Sequence, residues 1–236
     1  MNKPQLFCFT YAGGTSSFFK GIANDLPEIN LAALEYSGHG SRHGEQLYKS
    51  FDELAEDMFC MIKSSYEYGG YSLFGYSMGT ISLIEVLKRV MKQREIPLPD
   101  YVFLAAHEPK TKAELSGFSS GELDDLVKER TIRFGGVPER LINSKIFWRT
   151  YLPLYRADYS IIGKYNFDEL SMVSQIPAVV FYSESDTKKN DIEQWKNIFT
   201  GECDFFQYEG NHFFINKHHE EMAEIIRNRM IKRESV

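Results

Sequence analysis

The stretch Tyr71-Ser72-Leu73-Phe74-Gly75-Tyr76-Ser77-Met78-Gly79 decides how this chain is read. Its first half is a short apolar and aromatic run of strand character, and beyond it Ile81, Ile84, Leu87, Val90 and Met91 recur at roughly helical spacing as far as Arg94. Strand runs into helix with no loop between them, so the backbone must reverse sharply at Ser77. The glycines two positions to either side allow strand and helix to approach closely, and the serine hydroxyl is left projecting at the carboxyl end of a sheet.

Working outward, five further runs have the same character: Gln5 to Thr10, Leu31 to Tyr36, Tyr101 to Ala106, Ala178 to Ser183 and Asp204 to Tyr208. Helical patterns separate them, an alternation that builds βαβ units on a mainly parallel sheet. Ser50-Phe51-Asp52-Glu53 is a capping-box pattern ahead of Phe51, Leu54, Ala55, Met58 and Ile62 on one helical face. Near the C-terminus, Asn216 is expected to cap a helix that turns Met222, Ile225, Ile226 and Met230 inward and closes among Arg227, Arg229, Lys232 and Arg233. Roughly seventy residues separate the run ending at Ala106 from the one beginning at Ala178, too many for a simple crossover. Ser119-Ser120-Gly121-Glu122 opens a helix to about Phe134, Gly135-Gly136-Val137-Pro138 breaks it, and Leu141 to Tyr165 reads as further helix. The expectation is one domain over residues 1–236 of the α/β class: an α/β-hydrolase fold, its mainly parallel central sheet flanked by helices, with a helical lid inserted at about 109–170.

Composition narrows the classes of function. Among 236 residues, 43% are hydrophobic and 25% charged, the balance of a globular protein. Lys and Arg total 27 against 33 Asp and Glu, a formal net charge of −6 that argues against a broad nucleic-acid footprint. Cys8, Cys60 and Cys203 are odd in number and far apart, which indicates neither a disulfide framework nor a zinc site. The apolar stretch Leu6 to Phe9 is too brief for a signal sequence, and no run approaches the ~18 residues that span a bilayer. A cytoplasmic monomer is the expectation, with no membrane attachment.

Gly75-Tyr76-Ser77-Met78-Gly79 matches G-x-S-x-G in the strand–turn–helix setting that makes the serine a nucleophile. A neutral hydroxyl attacks poorly, so an imidazole must accept its proton and a carboxylate must fix the imidazole's tautomer. Of the six histidines, His39 and His43 lie in a turn-rich stretch, His107 follows a strand, and His218 and His219 fall in the first turn of the last helix. His212, in Glu209-Gly210-Asn211-His212-Phe213-Phe214 after the last strand, is the candidate base. Asp186, after the strand containing Val179 to Tyr182, is the candidate acid, with Glu184, Asp191 and Glu108 as competitors. The Met78 backbone N–H, next after the nucleophile, can donate to an oxyanion, and a second donor is sought in Tyr11-Ala12-Gly13-Gly14-Thr15 after the first strand. Ala12 is the choice there, with Tyr11 the near alternative. The loop lacks the G-x-G-x-x-G or G-x-x-x-x-G-K pattern of a nucleotide cradle.

With these residues placed, nearly the whole chain resembles the type II thioesterases, editing enzymes of nonribosomal peptide and polyketide synthesis. Phe9 to Gly14 followed by Ser17-Phe18-Phe19 looks like the family's opening, and Glu35 to Arg42 resembles its glycine- and arginine-rich second motif. Leu152 to Tyr159 is similar to its lid signature, and Gly210-Asn211-His212-Phe213 to its histidine motif. Tyr76 stands where many members have His, His107-Glu108-Pro109 replaces a usually Arg-containing stretch, and Thr187-Lys188-Lys189 follows the acid where Pro is common. Carried over by position, the family's triad falls on Ser77, Asp186 and His212. The resemblance implies hydrolysis of acyl, aminoacyl or peptidyl thioesters on an acyl or peptidyl carrier protein whose own phosphopantetheine arm presents them, so no bound cofactor or metal is expected. Ile146, Phe147, Trp148, Leu152 and Tyr155 are candidates for an apolar roof over the acyl chain, or for plain packing. Lys188 and Lys189 could meet an acidic carrier surface. Two rivals remain at this stage: an esterase or lipase acting on oxygen esters, and a catalytically idle module that docks carrier proteins.

Overall fold

A computed structural model of the chain describes residues 3–111 and 120–231. Its strands are β1 (Gln5–Phe9), β2 (Asn30–Leu34), β3 (Tyr71–Tyr76), β4 (Val102–Ala105), β5 (Ala178–Tyr182) and β6 (Cys203–Gln207). They form a sheet in the order β2-β1-β3-β4-β5-β6 in which every neighbouring pair is parallel. The helices are α1 (Lys20–Asn24), α2 (Phe51–Ser65), α3 (Met78–Gln93), α4 (Ser120–Phe134), α5 (Lys145–Lys164), α6 (Lys189–Ile192) and α7 (Ile215–Ile231). Parallel strands place all their carboxyl ends on one edge. The loops after β1, β3, β4, β5 and β6 therefore converge there, whatever their separation in sequence.

The inner strands read as nearly continuous apolar runs because both faces of the sheet are covered. Phe7, Leu73, Leu104 and Val180 face the core beneath α2 and α3, while Leu6, Phe74, Phe103 and Phe181 face α7. Ser50 caps α2 by accepting the Glu53 N–H at 3.2 Å, as its sequence pattern requires. The reciprocal half of the box is displaced, since the Glu53 carboxylate accepts from the Lys49 N–H at 2.8 Å. Between β4 and β5, α4 and α5 pack on each other above the site edge of the sheet. The capping pattern begun at Ser119 lies outside the described residues.

The last helix departs from expectation. It begins at Ile215, so Asn216 sits in the first turn and does not cap it. The turn-forming side chain is Asn211, whose carbonyl oxygen accepts the Phe213 N–H at 3.0 Å and winds the chain directly around His212. His218 then takes non-helical angles (φ −121°, ψ 18°) and kinks the helix, with its Nε2 3.0 Å from the Glu209 carbonyl. Met222 and Ile226 are buried, while Ile225 and Met230 are only half-buried at the core's margin. Arg227 and Arg229 bind Glu28, Glu202 and Asp204; Lys232 and Arg233 lie outside the described residues.

At the elbow α3 crosses β1 so closely that a Cβ on Gly79 would lie 2.0 Å from the Phe9 carbonyl oxygen, and one on Gly75 2.4 Å from the Gly79 carbonyl oxygen. These are backbone atoms, one in β1 and one in α3, and have no rotamer by which to escape. Gly79→Ala is expected to cost about 3 kcal/mol of stability, the upper end of overpacking, read as a lowered denaturant midpoint. An unchanged midpoint would mean that the crossing is looser than described.

Candidate active site

Ser77 has φ 56° and ψ −120°, a conformation that costs an ordinary residue about 1–3 kcal/mol. Two backbone bonds hold it there: the Ser77 N–H donates to the Ala105 carbonyl at 2.8 Å, and the Thr80 N–H donates to the Ser77 carbonyl at 2.9 Å. The elbow is thus tied to β4 on one side and to the start of α3 on the other. Its hydroxyl faces the loop that follows β6.

There His212 Nε2 lies 2.9 Å from Ser77 Oγ, and His212 Nδ1 lies 2.8 Å from Asp186 Oδ2. A carboxylate only accepts, so Nδ1 carries the proton and Nε2 is left to accept from the serine hydroxyl. Asp186 stands in the turn after β5, its N–H bonded to the Ser183 carbonyl at 3.0 Å. Of the competing acids, Glu108 accepts from the Thr187 hydroxyl at 3.2 Å, beside Asp186, while Glu184 is exposed and Asp191 belongs to α6.

The histidine loop is anchored from beneath. Tyr76, buried at the end of β3, donates its hydroxyl to the His212 carbonyl at 2.7 Å, and Ser183 donates to the Gly210 carbonyl at 2.5 Å. Burial pushes the Tyr76 phenol well above its ordinary value, so it remains a donor across the working pH range. From above, the Phe134 ring at the end of α4 stacks on the His212 ring at 4.5 Å between centroids. Arg130 and Arg133 lie over Phe134 at 5.4 and 5.3 Å.

Ser77, Asp186 and His212 open into a cavity of about 200 Å³ whose wall also includes Ala12, Met78, His107, Glu108, Arg130, Arg133, Phe134, Tyr159, Ile162 and Thr187. Ala12 and Met78 both border the space beside Ser77, while the Gly13 N–H is bonded to Asp158 Oδ2 at 2.7 Å. Tyr11 borders a smaller inner recess.

The roof differs from the expected one. Of the five candidates only Tyr155 reaches the inner recess; Ile146 is 69% exposed, and Phe147, Trp148 and Leu152 pack at the margin of the core. The inward face of α5 is set one helical turn later, by Tyr155, Tyr159 and Ile162, and α4 supplies the rest through Arg130, Thr131, Arg133 and Phe134. The periodicity of α4 is visible in sequence, but which of its faces overhangs the serine depends on how it docks. Lys188 and Lys189 are exposed at the start of α6. Among the described residues no His, Cys, Asp and Glu are grouped to hold a metal ion, and no helix is long and apolar enough to cross a membrane.

A serine at the elbow between β3 and α3, a histidine after β6, a carboxylate after β5 and a helical insertion between β4 and β5 define an α/β-hydrolase. Within that class the chain belongs to the thioesterase family, since the profile of the thioesterase domain matches residues 4–230. The medium-chain S-acyl fatty acid synthase thioesterase of Rattus norvegicus is 27% identical, over 90% of this chain and 82% of its own length. The gramicidin S biosynthesis protein GrsT of Aneurinibacillus migulanus is 25% identical, over 95% and 88%. The crystal structure of ClbQ from the colibactin NRPS/PKS pathway superposes with a TM-score of 0.87 at 21% identity, covering 98% of each chain.

Proposed function

We propose that the chain is a type II thioesterase that removes acyl, aminoacyl or short peptidyl groups from the phosphopantetheine arm of carrier proteins in nonribosomal peptide or polyketide synthesis. The unbroken hydrogen-bonded line from Ser77 through His212 to Asp186, lying under a lid in a chain of the thioesterase family, carries the proposal. The names of relatives support a role beside a synthase or synthetase: one is named for fatty acid synthase, another for gramicidin S biosynthesis.

Ser77 Oγ attacks the thioester carbonyl as its proton passes to His212 Nε2. The Met78 and Ala12 N–H groups hold the oxyanion, Ala12 being favoured over Tyr11 because it borders the larger cavity beside Ser77, whereas Tyr11 borders only the smaller recess. Collapse of the tetrahedral adduct expels the pantetheine thiol, which takes the proton back from His212, and leaves an acyl-serine. His212 then deprotonates water, which attacks the ester and frees the acid and Ser77. The arm belongs to the carrier, so the reaction draws on no cofactor of this chain. A cavity of about 200 Å³, below the ~300–1,000 Å³ of drug-sized sites, favours short acyl groups and hence the clearing of misprimed carriers.

The test is a turnover panel of acetyl-, aminoacyl- and long-chain acyl-carriers against matched oxygen esters. Short-acyl carriers are expected to show kcat/KM higher than their oxygen esters by about tenfold or more, a difference of roughly 1.4 kcal/mol in transition-state binding. Equal or better turnover of the oxygen esters would make the chain an esterase.

A further inference from the structure

A second buried histidine–carboxylate pair lies against the loop after β1. Asp158 of α5 is 2% exposed, and its Oδ2 accepts both the Gly13 N–H at 2.7 Å and His39 Nε2 at 3.1 Å. Three separate parts of the chain meet at this oxygen: the lid, the loop after β1 and the loop after β2. Gly13 holds φ +73°, and the ring of Tyr155, one turn before Asp158, covers it so closely that a Cβ there would lie 2.1 Å from Tyr155 Cε1. The lid helix therefore both covers the residue after Ala12 and binds its backbone.

His39 is wholly buried, with its Nδ1 3.0 Å from the Ser37 carbonyl. A carbonyl and a carboxylate only accept, so the two contacts favour a ring that donates from both nitrogens, the imidazolium form. Burial alone would lower its pKa, but the Asp158 carboxylate overrides burial and holds it above the ordinary value. The other charged group facing it is Glu35, which follows β2 and already accepts from the Ser16 N–H at 3.0 Å and hydroxyl at 2.8 Å. Tyr36 presents its ring edge to His39, and Tyr155 and Tyr159 flank Asp158; burial pushes all three phenols up, so they stay neutral.

We infer that Asp158 is a positioning residue for the reaction: paired with the His39 cation, it turns the Gly13 N–H into the lid and so aims the preceding Ala12 N–H at the oxyanion. The oxyanion loop is in register only while the lid helix is seated. This rests on the reading of Ala12 as a donor. The pH dependence follows from the direction of the shift. A histidine whose folded pKa is raised stabilises the seated state fully below its unfolded value of about 6.5, and that contribution is lost as pH rises through the folded pKa.

The probe is the rate at which a fluorophosphonate labels Ser77, which depends on the oxyanion site but on no particular substrate, measured beside kcat and KM for a small acetyl thioester. Asp158→Asn is expected to slow labelling and lower kcat by about tenfold or more, with KM within about twofold of wild type. Wild-type labelling is expected to decline as pH rises through the folded pKa of His39, which lies above its ordinary value, and His39→Gln, which leaves Asp158 to hold Gly13 without a cation, is expected to be slowed and to lose that decline. Should Asp158→Asn not fold, His39→Gln carries the test. Wild-type labelling rates in either folded variant, or a decline that is absent from the wild type or persists in His39→Gln, overturn the inference. A wild type that labels but hydrolyses no thioester sinks the proposed function instead, and the labelling comparison still decides this one.

Discussion

Ser77→Ala is expected to lower kcat by about 10⁴-fold or more while the protein stays folded. Alanine keeps the Cβ that already sits at φ 56°, so the strain at the elbow and its bonds to Ala105 and Thr80 are unchanged. Only the hydroxyl 2.9 Å from His212 Nε2 is lost, and with it the acyl-enzyme path. Whatever hydrolysis persists must come from water activated by His212 within the same oxyanion site, which retains a small part of the acceleration. Single-turnover hydrolysis of an acetyl-carrier measures the loss, and fluorophosphonate labelling should vanish with it. Turnover above about one per cent of wild type, far more than such a water path supplies, would remove Ser77 as the nucleophile.

Asp186→Asn is expected to cost about as much, on the order of 10⁴-fold in kcat, although the change is nearly isosteric. The carboxylate oxygen 2.8 Å from His212 Nδ1 keeps the proton on that nitrogen and leaves Nε2 free to accept from Ser77. An amide NH₂ turned toward Nδ1 donates, which moves the ring proton to Nε2, where it faces the serine and blocks proton transfer. KM should change little, because the nearly isosteric amide keeps the cavity wall to which Asp186 contributes and alters mainly the tautomer of His212. The same substitution at Glu108, whose carboxylate engages Thr187, should be mild by comparison. If Glu108→Gln were instead the severe one, the acid would belong to the loop after β4.

Several features of the molecule are legible in the sequence because they are local. The strand from Tyr71 to Tyr76, the reversal at Ser77 and the helix from Met78 are written in adjacent residues, and Gly75 and Gly79 carry the close crossing in the same five-residue motif. The bounds of the remaining strands shift by only one or two residues, since a sheet covered on both faces demands apolar runs that end where the cover ends. Asn216 misled because its position before an amphipathic helix resembles a cap, whereas the loop around His212 is wound earlier, by Asn211. The roof misled for a different reason. Ile146, Phe147, Trp148, Leu152 and Tyr155 share one lid helix, and spacing shows which of them lie together but not where the helix rests along the sheet.

Legible in the sequence are the alternation of strands with the longer helices, the elbow serine, the candidate base and acid, and the thioesterase relationship, all of which follow from short-range pattern and from motifs strung along nearly the whole chain. Only the fold brings His212, 135 residues beyond Ser77, within 2.9 Å of it and selects Asp186 from the candidate acids to lie behind it. It alone decided that His39, which in sequence is one residue of a glycine-rich turn, is buried against Asp158 of the lid, 119 residues away. The physical reason is common to both cases. In a parallel sheet the loops that carry chemistry are brought together by strand order, and the charge state of a buried imidazole is set by acceptors that sequence neighbours do not supply.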